Sequence, residues 1–232
     1  MKSILVTGAA GNMGRAVVSR FLTDGHTIHA TLGHGHDAPQ FETTSGAGQL
    51  FTAPVDLMDA AASESFIKGI IARGQSIDAA VCMVGGWQSG SLAETTMQDL
   101  DKMFKLNFAT AFNIARPLLE FFEKQGHGQF VFIGARPAIN PADGKNQVAY
   151  ALSKALVFHL AEIINEQGKG KIISAGVLVP SILDTPQNRA AMPDANAADW
   201  VTPEAAADSI AFLLSETGEK LRQTVLKLYN NA

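Results

Sequence analysis

The sequence predicts an α/β fold, a doubly wound parallel sheet of about seven strands with helices on both faces. Three observations carry this. Short apolar or β-branched runs alternate with longer helix-patterned segments along the whole chain. Two of the runs, AAVCMV and FVFI, are apolar without a break, as strands buried on both faces are. A glycine-rich turn, TGAAGNMG, stands between the first such run and the first helical pattern.

Taken in order, SILVT (residues 3 to 7) reads as the first strand, followed by a helix over about 13 to 23 whose apolar face takes in Val17, Val18, Phe21 and Leu22. TIHATL (27 to 32) and QLFTAPV (49 to 55) are the next strands, and a helix covers about 60 to 73. DAAVCMV (78 to 84) precedes a long helical pattern over about 97 to 125. QFVFIG (129 to 134) leads to a helix over about 146 to 167. KIISAGVLV (171 to 179), a helix over about 203 to 215 and TVLKLY (224 to 229) complete the series. Right-handed crossovers between parallel strands place ligands at the carboxyl ends of such a sheet. At 232 residues, 47% hydrophobic and 17% charged, the chain can bury a full core, and no repeat or low-complexity linker divides it. Residues 1 to 232 are therefore expected to form a single domain.

The turn itself places Gly8, Gly11 and Gly14 between strand and helix. Glycines here allow a tight turn and close backbone approach to a pyrophosphate, and the helix N-terminus offers free N–H groups and partial positive charge. A dinucleotide, NAD or NADP, is the expected cofactor. The choice between the two stays open, because TLGHGHDAPQ carries neither an acidic residue for a ribose hydroxyl nor an Arg for a 2′-phosphate before Asp37.

Charge and composition exclude several classes. A formal charge of -4, a pI near 5.8 and no Lys/Arg cluster argue against nucleic acid. The start, MKSILVTGAAGNMG, is apolar for only four residues before glycine enters, so neither a signal peptide nor a membrane span is expected. The single cysteine, Cys82, allows no intrachain disulfide, and a cytoplasmic setting is the default expectation. His26, His29, His34 and His36 straddle a strand and a glycine loop without carboxylate or cysteine company. They read as solvent-facing or adenosine-side histidines, and no metal is expected.

Further along, VDLMD (55 to 59), VGGW (84 to 87), FKLNFATAF around Asn107, YALSK (150 to 154) and VLVPSILDTPQNRAAMP appear in that order. Together with the glycine turn, these resemble the short-chain dehydrogenase/reductase family over essentially the whole chain. Their motifs are most similar to those of its dihydropteridine-reductase-like members. The resemblance implies a Rossmann-type fold and hydride transfer between NAD(P) and a small-molecule carbonyl or activated, quinonoid imine. It also implies a homodimer or homotetramer paired through the long helices. The alternative is a dinucleotide-binding sensor or scaffold with little or no turnover, suggested by several departures from the family's pattern. Asn12 takes the place of a glycine, VGGW lacks the family's asparagine, and Ser181 replaces the glycine after Pro180. Ala135 and Arg136 stand near the usual serine.

Cofactor contacts implied by the resemblance are Gly8, Gly11, Asn12, Met13, Gly14, Asp56 and Leu57, then Val84, Gly85, Gly86, Lys154, Pro180, Ile182 and Thr185. Tyr150 would be the proton donor, Lys154 its partner and a clamp on the nicotinamide ribose, and Asn107 the anchor of a proton-relaying water. Tyr150 and Lys154, four apart on a helix, lie about 40° apart around its axis and so share a face. A free phenol has a pKa of about 10, and a neighbouring ammonium is expected to lower it. Asn107 also admits a plainer reading, a polar residue bridging or capping within an apolar helix. Trp87, Ala135, Arg136, Met192 and Trp200 are the expected substrate contacts, the last two from a mobile segment over about 183 to 200.

Overall fold

The computed structural model describes residues 1–33, 41 and 48–231; His34, His36 and Asp37 lie outside them. Seven parallel strands form one sheet in the order β3-β2-β1-β4-β5-β6-β7. The strands are β1 (Ser3–Val6), β2 (Thr27–Leu32), β3 (Gln49–Pro54), β4 (Ala79–Cys82), β5 (His127–Ile133), β6 (Ile172–Pro180) and β7 (Thr224–Leu228). Chain order reverses between β1 and β4, which opens a crevice at their carboxyl ends.

Period-two alternation along the strands builds two cores. Leu5, Phe130 and Phe132 face one side, where they meet α2 (Ala60–Ala72), α4 (Thr110–Gln125) and α6 (Val148–Gln167) through Ile67, Ile114, Leu118, Phe122, Val157 and Ile164. Their strand neighbours Ile4, Val6, Val131 and Ile133 face the other side, against α1 (Asn12–Thr23) and α8 (Pro203–Leu213) through Val17, Val18, Phe21, Ile210 and Leu213. Arg20 of α1 bridges its own Asp24 and Asp208 of α8, tying the second layer together. Unbroken apolar strands are what a sheet covered twice requires.

The long helical pattern after β4 is two helices, α3 (Met97–Phe104) and α4, joined by a π-helical turn at Lys105–Ala109. Thr96 starts α3 with a capping box, its hydroxyl accepting from Asp99 N while the Asp99 carboxylate accepts from Thr96 N. Two short helices, α5 (Pro141–Gly144) and α7 (Pro186–Ala191), fall in segments the sequence pattern left without helical assignment. α6 is long and apolar enough to cross a bilayer, yet half of its apolar stretch is buried against the sheet, which marks it as a core helix.

Two histidine expectations are corrected or sharpened. His29 is buried within β2 and stacked on Phe51, its register partner on β3, with ring centroids 5.4 Å apart. It is not solvent-facing. His26 accepts the backbone N–H of Lys2 at Nδ1, 2.9 Å away.

One buried amide substitutes for a strand partner. β7 pairs with β6 only from Gly176 onward, so Ala175 has no strand on that side. Asn165 of α6 fills the gap: its Nδ2 donates to Ala175 O at 2.8 Å and its Oδ1 accepts from Ala175 N at 3.0 Å. Asn165→Ala leaves both peptide groups buried and unpaired, and is expected to lower unfolding free energy by about 2–4 kcal/mol. Urea denaturation monitored by circular dichroism reads this directly; a loss below about 0.5 kcal/mol contradicts the assignment.

Candidate active site

The crevice at the strand reversal is built first by backbone. Gly8 leaves β1 at φ +69°, in the left-handed region where a side chain is strained. Gly11 N donates to Gly8 O at 3.1 Å, closing the turn from which α1 starts. A Cβ on Gly14 would lie 2.1 Å from Gly8 O, so the helix can pack on the turn only with glycine there. Met13 sends its side chain into the core and presents only backbone at the turn. Thr7, the last residue before the turn, accepts Met83 N at its hydroxyl, 3.0 Å away, which joins the ends of β1 and β4.

Beside this turn lies a cavity of about 270 Å³, lined by Gly8, Asp56, Leu57 and Val84. Thr31, Leu32, Gly33, Leu106 and Thr110 also line it. Sequence reasoning named none of these five as site residues; the last two come from the π turn and the first residue of α4. The walls are mostly apolar, Asp56 is the acidic group among them, and Asn113 Nδ2 holds the Leu57 carbonyl in place at 2.9 Å. A left-handed glycine, a first helical turn whose Gly14 has no room for a Cβ, and a mostly apolar cavity at the switch point fit a dinucleotide.

Asn107 bridges the segment after β4 and the start of α6. It sits in the π turn, 1% exposed, in a helix geometry that often marks functional positions. Its Oδ1 accepts Gly86 N at 2.8 Å, and its Nδ2 donates to Gly86 O at 3.0 Å and to Ser153 Oγ at 3.0 Å. Ser153 Oγ in turn donates to Tyr150 O at 2.8 Å. The carboxamide thus joins the VGG segment after β4 to the first turns of α6. Gly85 is forced by this approach: a Cβ there would lie 2.6 Å from Asn107 Oδ1 and 3.2 Å from Lys154 Nζ. The bridging role of Asn107, given above as its plainer reading, is present; Ser153 is a partner the sequence reading missed.

Lys154 is 6% exposed and donates from Nζ to Ile133 O, 2.8 Å away at the carboxyl end of β5. Burial lowers its pKa to about 8. Burial also pushes the partly buried Tyr150 phenol up to about 12. The expected lowering of the phenol by Lys154 is therefore corrected: desolvation raises the phenol, and the Lys154 ammonium donates to the strand carbonyl instead.

The remaining expected residues divide by position. Trp87 is 64% exposed, and its Nε1 donates to Gln147 Oε1 at 2.6 Å just before α6. Ala135 is buried where β5 ends, and Arg136 turns toward Asp143, its Nε donating to Oδ2 at 2.8 Å. Pro180 closes β6 in the interior, Ile182 O accepts Val201 N at 2.9 Å, and Thr185 caps α7 by accepting Asn188 N at 3.1 Å. Met192 follows α7 and is half-buried, whereas Trp200 is 4% exposed and supports its segment from within. Asn12 meets that segment directly: its Nδ2 donates to Gln187 Oε1 at 2.9 Å, linking the glycine turn to α7. Among the described residues no three potential metal ligands come together.

Gly85→Ala is expected to displace Asn107 and Lys154 together, lowering kcat at least about tenfold while the melting temperature stays within a few degrees. Steady-state kinetics beside thermal unfolding checks this, and unchanged turnover contradicts the packing argument.

Comparison with known proteins places this geometry. The short chain dehydrogenase family matches residues 2–196. A dihydropteridine reductase from Dictyostelium discoideum is 32% identical over 228 residues, covering 95% of this chain and 86% of that protein. The 3-oxoacyl-acyl-carrier-protein reductase MabA of Mycobacterium tuberculosis is 26% identical over 234 residues, covering 97% of this chain and 90% of its own. In fold, a short-chain type dehydrogenase/reductase from Mycobacterium ulcerans superposes with a TM-score of 0.87 at 18% identity, covering 99% of this chain and 89% of that one. The chain belongs to the short-chain dehydrogenase family and is an NAD(P)-dependent oxidoreductase of Rossmann fold.

Proposed function

We propose that the protein reduces an activated, planar imine of the quinonoid kind, with simple carbonyl compounds as poorer substrates. The observation that carries this reading is the buried Ala135 where β5 ends, beside a complete Tyr150, Lys154 and Asn107 set. A hydroxyl donor to the substrate oxygen is worth about 3–4 kcal/mol where the transition state depends on it. An activated imine needs that donor less than a ketone does. The similarity to a dihydropteridine reductase supports the same choice.

Reduced nicotinamide supplies the hydride when bound. Gly8, Gly11, Gly14 and the backbone of Asn12 and Met13 would hold its pyrophosphate, Asp56, Leu57 and Val84 the adenosine half, and Gly85, Gly86, Pro180, Ile182 and Thr185 the nicotinamide half. Tyr150 gives its phenolic proton to the substrate nitrogen or oxygen. A pKa near 12 keeps that proton in place at neutral pH until substrate accepts it. Lys154, near 8, can return a proton to the tyrosinate under the same conditions. Asn107 orients the relay through Ser153 and the Gly86 peptide. Trp87 offers an exposed indole to a flat substrate, and Met192 a flexible apolar wall. Residues 183 to 200 close over the substrate as a mobile part of a single domain.

Oligomerisation and location belong to the same reading. Phe104, Phe112, Leu152, Leu156 and Ile163 are exposed along the α3, α4 and α6 surface, which supports a homodimer or homotetramer paired there. A single, buried cysteine suits the reducing cytoplasm.

Two substitutions test the chemistry. Tyr150→Phe is expected to lower kcat about 100-fold or more with reduced-cofactor affinity kept. Ala135→Ser is expected to raise turnover of ketones and leave quinonoid dihydropterin reduction nearly unchanged. A fully active phenylalanine variant would falsify the assignment of the acid; ketone turnover indifferent to the serine overturns the substrate choice.

A further inference from the structure

Asn12 takes the place of a glycine in the turn before α1, and its side chain makes contacts that a glycine could not. It is the first residue of α1. Arg15, three residues further along, donates from Nη2 to Asn12 Oδ1 at 3.1 Å. With its oxygen so engaged, the carboxamide offers its nitrogen to α7, where Nδ2 donates to Gln187 Oε1 at 2.9 Å. The two residues are 175 positions apart in the chain.

The segment that carries Gln187 is anchored at its base by backbone. Asp184 N donates to Val201 O at 2.7 Å, and Val201 N donates to Ile182 O at 2.9 Å. Side chains then tie α7 to that base: Asn188 Nδ2 donates to Leu183 O at 2.8 Å, and Arg189 pairs with both oxygens of Asp184, at 2.5 and 2.8 Å. Gln187 takes no part in these bonds and stands exposed. Among the described residues, its bond to Asn12 is the one hydrogen bond between residues 183 to 200 and the glycine turn. The backbone N–H groups of the first turn of a helix have no partner within it, and at this turn they would face a pyrophosphate. Because Asn12 reaches α7 through its side chain, the bond leaves its backbone N–H free for that ligand.

We infer that Asn12 and Gln187 form a clasp between the cofactor turn and the substrate segment, with Gln187 a positioning residue that holds α7 against the turn and slows release of the dinucleotide. Opening of the clasp precedes departure of the cofactor. The inference rests on the reading of the turn as the dinucleotide site and of residues 183 to 200 as the substrate segment.

The test is a double-mutant cycle on the dissociation rates of NADH and NADPH, followed on the full chain by stopped-flow fluorescence after displacement with excess oxidised cofactor. Gln187→Ala and Asn12→Ala are each expected to speed release of the better-bound cofactor about threefold to tenfold, the range one hydrogen bond gives. The double variant should release it no faster than either single one, because both substitutions remove the same bond. Melting temperatures without cofactor should stay nearly unchanged, since the bond lies at the surface. A contact of purely structural worth would lower them and leave release alone. Unchanged release from Gln187→Ala overturns the inference, as do single effects that multiply in the double variant. Failure of the wild type to bind either reduced cofactor overturns the dinucleotide reading and the clasp with it, whereas cofactor binding with release indifferent to Gln187 overturns the clasp alone.

Discussion

The carboxamide of Asn107 stands where three parts of the fold meet: the VGG segment leaving β4, the π turn before α4, and the first turns of α6. One acceptor and one donor take both peptide groups of Gly86, and the same donor nitrogen reaches Ser153. Buried amides are tolerated when their hydrogen bonds are made, and here the bonds fix the Gly86 peptide and Ser153, which lies beside Lys154. An α-helix continued straight through residues 105 to 109 would distribute its side chains differently. The π turn gives Asn107 its inward position, and Gly85 gives it room.

Desolvation sets the direction in which Lys154 and Tyr150 are shifted. Lys154 is held against the end of β5 by a carbonyl, and its burial brings it near 8, within reach of proton exchange at physiological pH. The same burial raises the phenol of Tyr150 rather than lowering it. Under the proposed assignment of Tyr150 as the acid, a phenol held protonated suits reduction. The oxidative direction would call for the phenolate instead.

Much of this architecture is legible in the chain. Period-two alternation within unbroken apolar strands specified a doubly covered sheet, because Ile4 and Val6 must face away from Leu5. The glycine turn was legible too, since Gly8 and Gly14 are sites where backbone geometry tolerates little else. What stayed hidden depends on residues far apart in sequence. Asn12 and Gln187, Arg136 and Tyr229, and Asn165 with Ala175 meet only once the strands are ordered. The π turn was hidden for a different reason: its apolar pattern matches that of the flanking helices, and only the polar Asn107 within it gave a signal. The direction of the Tyr150 shift required knowing burial, which spacing on a helix does not supply.

The central claim is that the crevice beside Gly8, Gly14 and Asp56 holds a nicotinamide dinucleotide. Thermal unfolding with saturating NADH and, separately, NADPH tests it most directly, because a ligand that binds only the folded chain raises its melting temperature. At about 100 times the dissociation constant, the better cofactor should stabilise the fold by about 2.7 kcal/mol, a rise of several degrees. A melting temperature unmoved by both reduced cofactors contradicts the account.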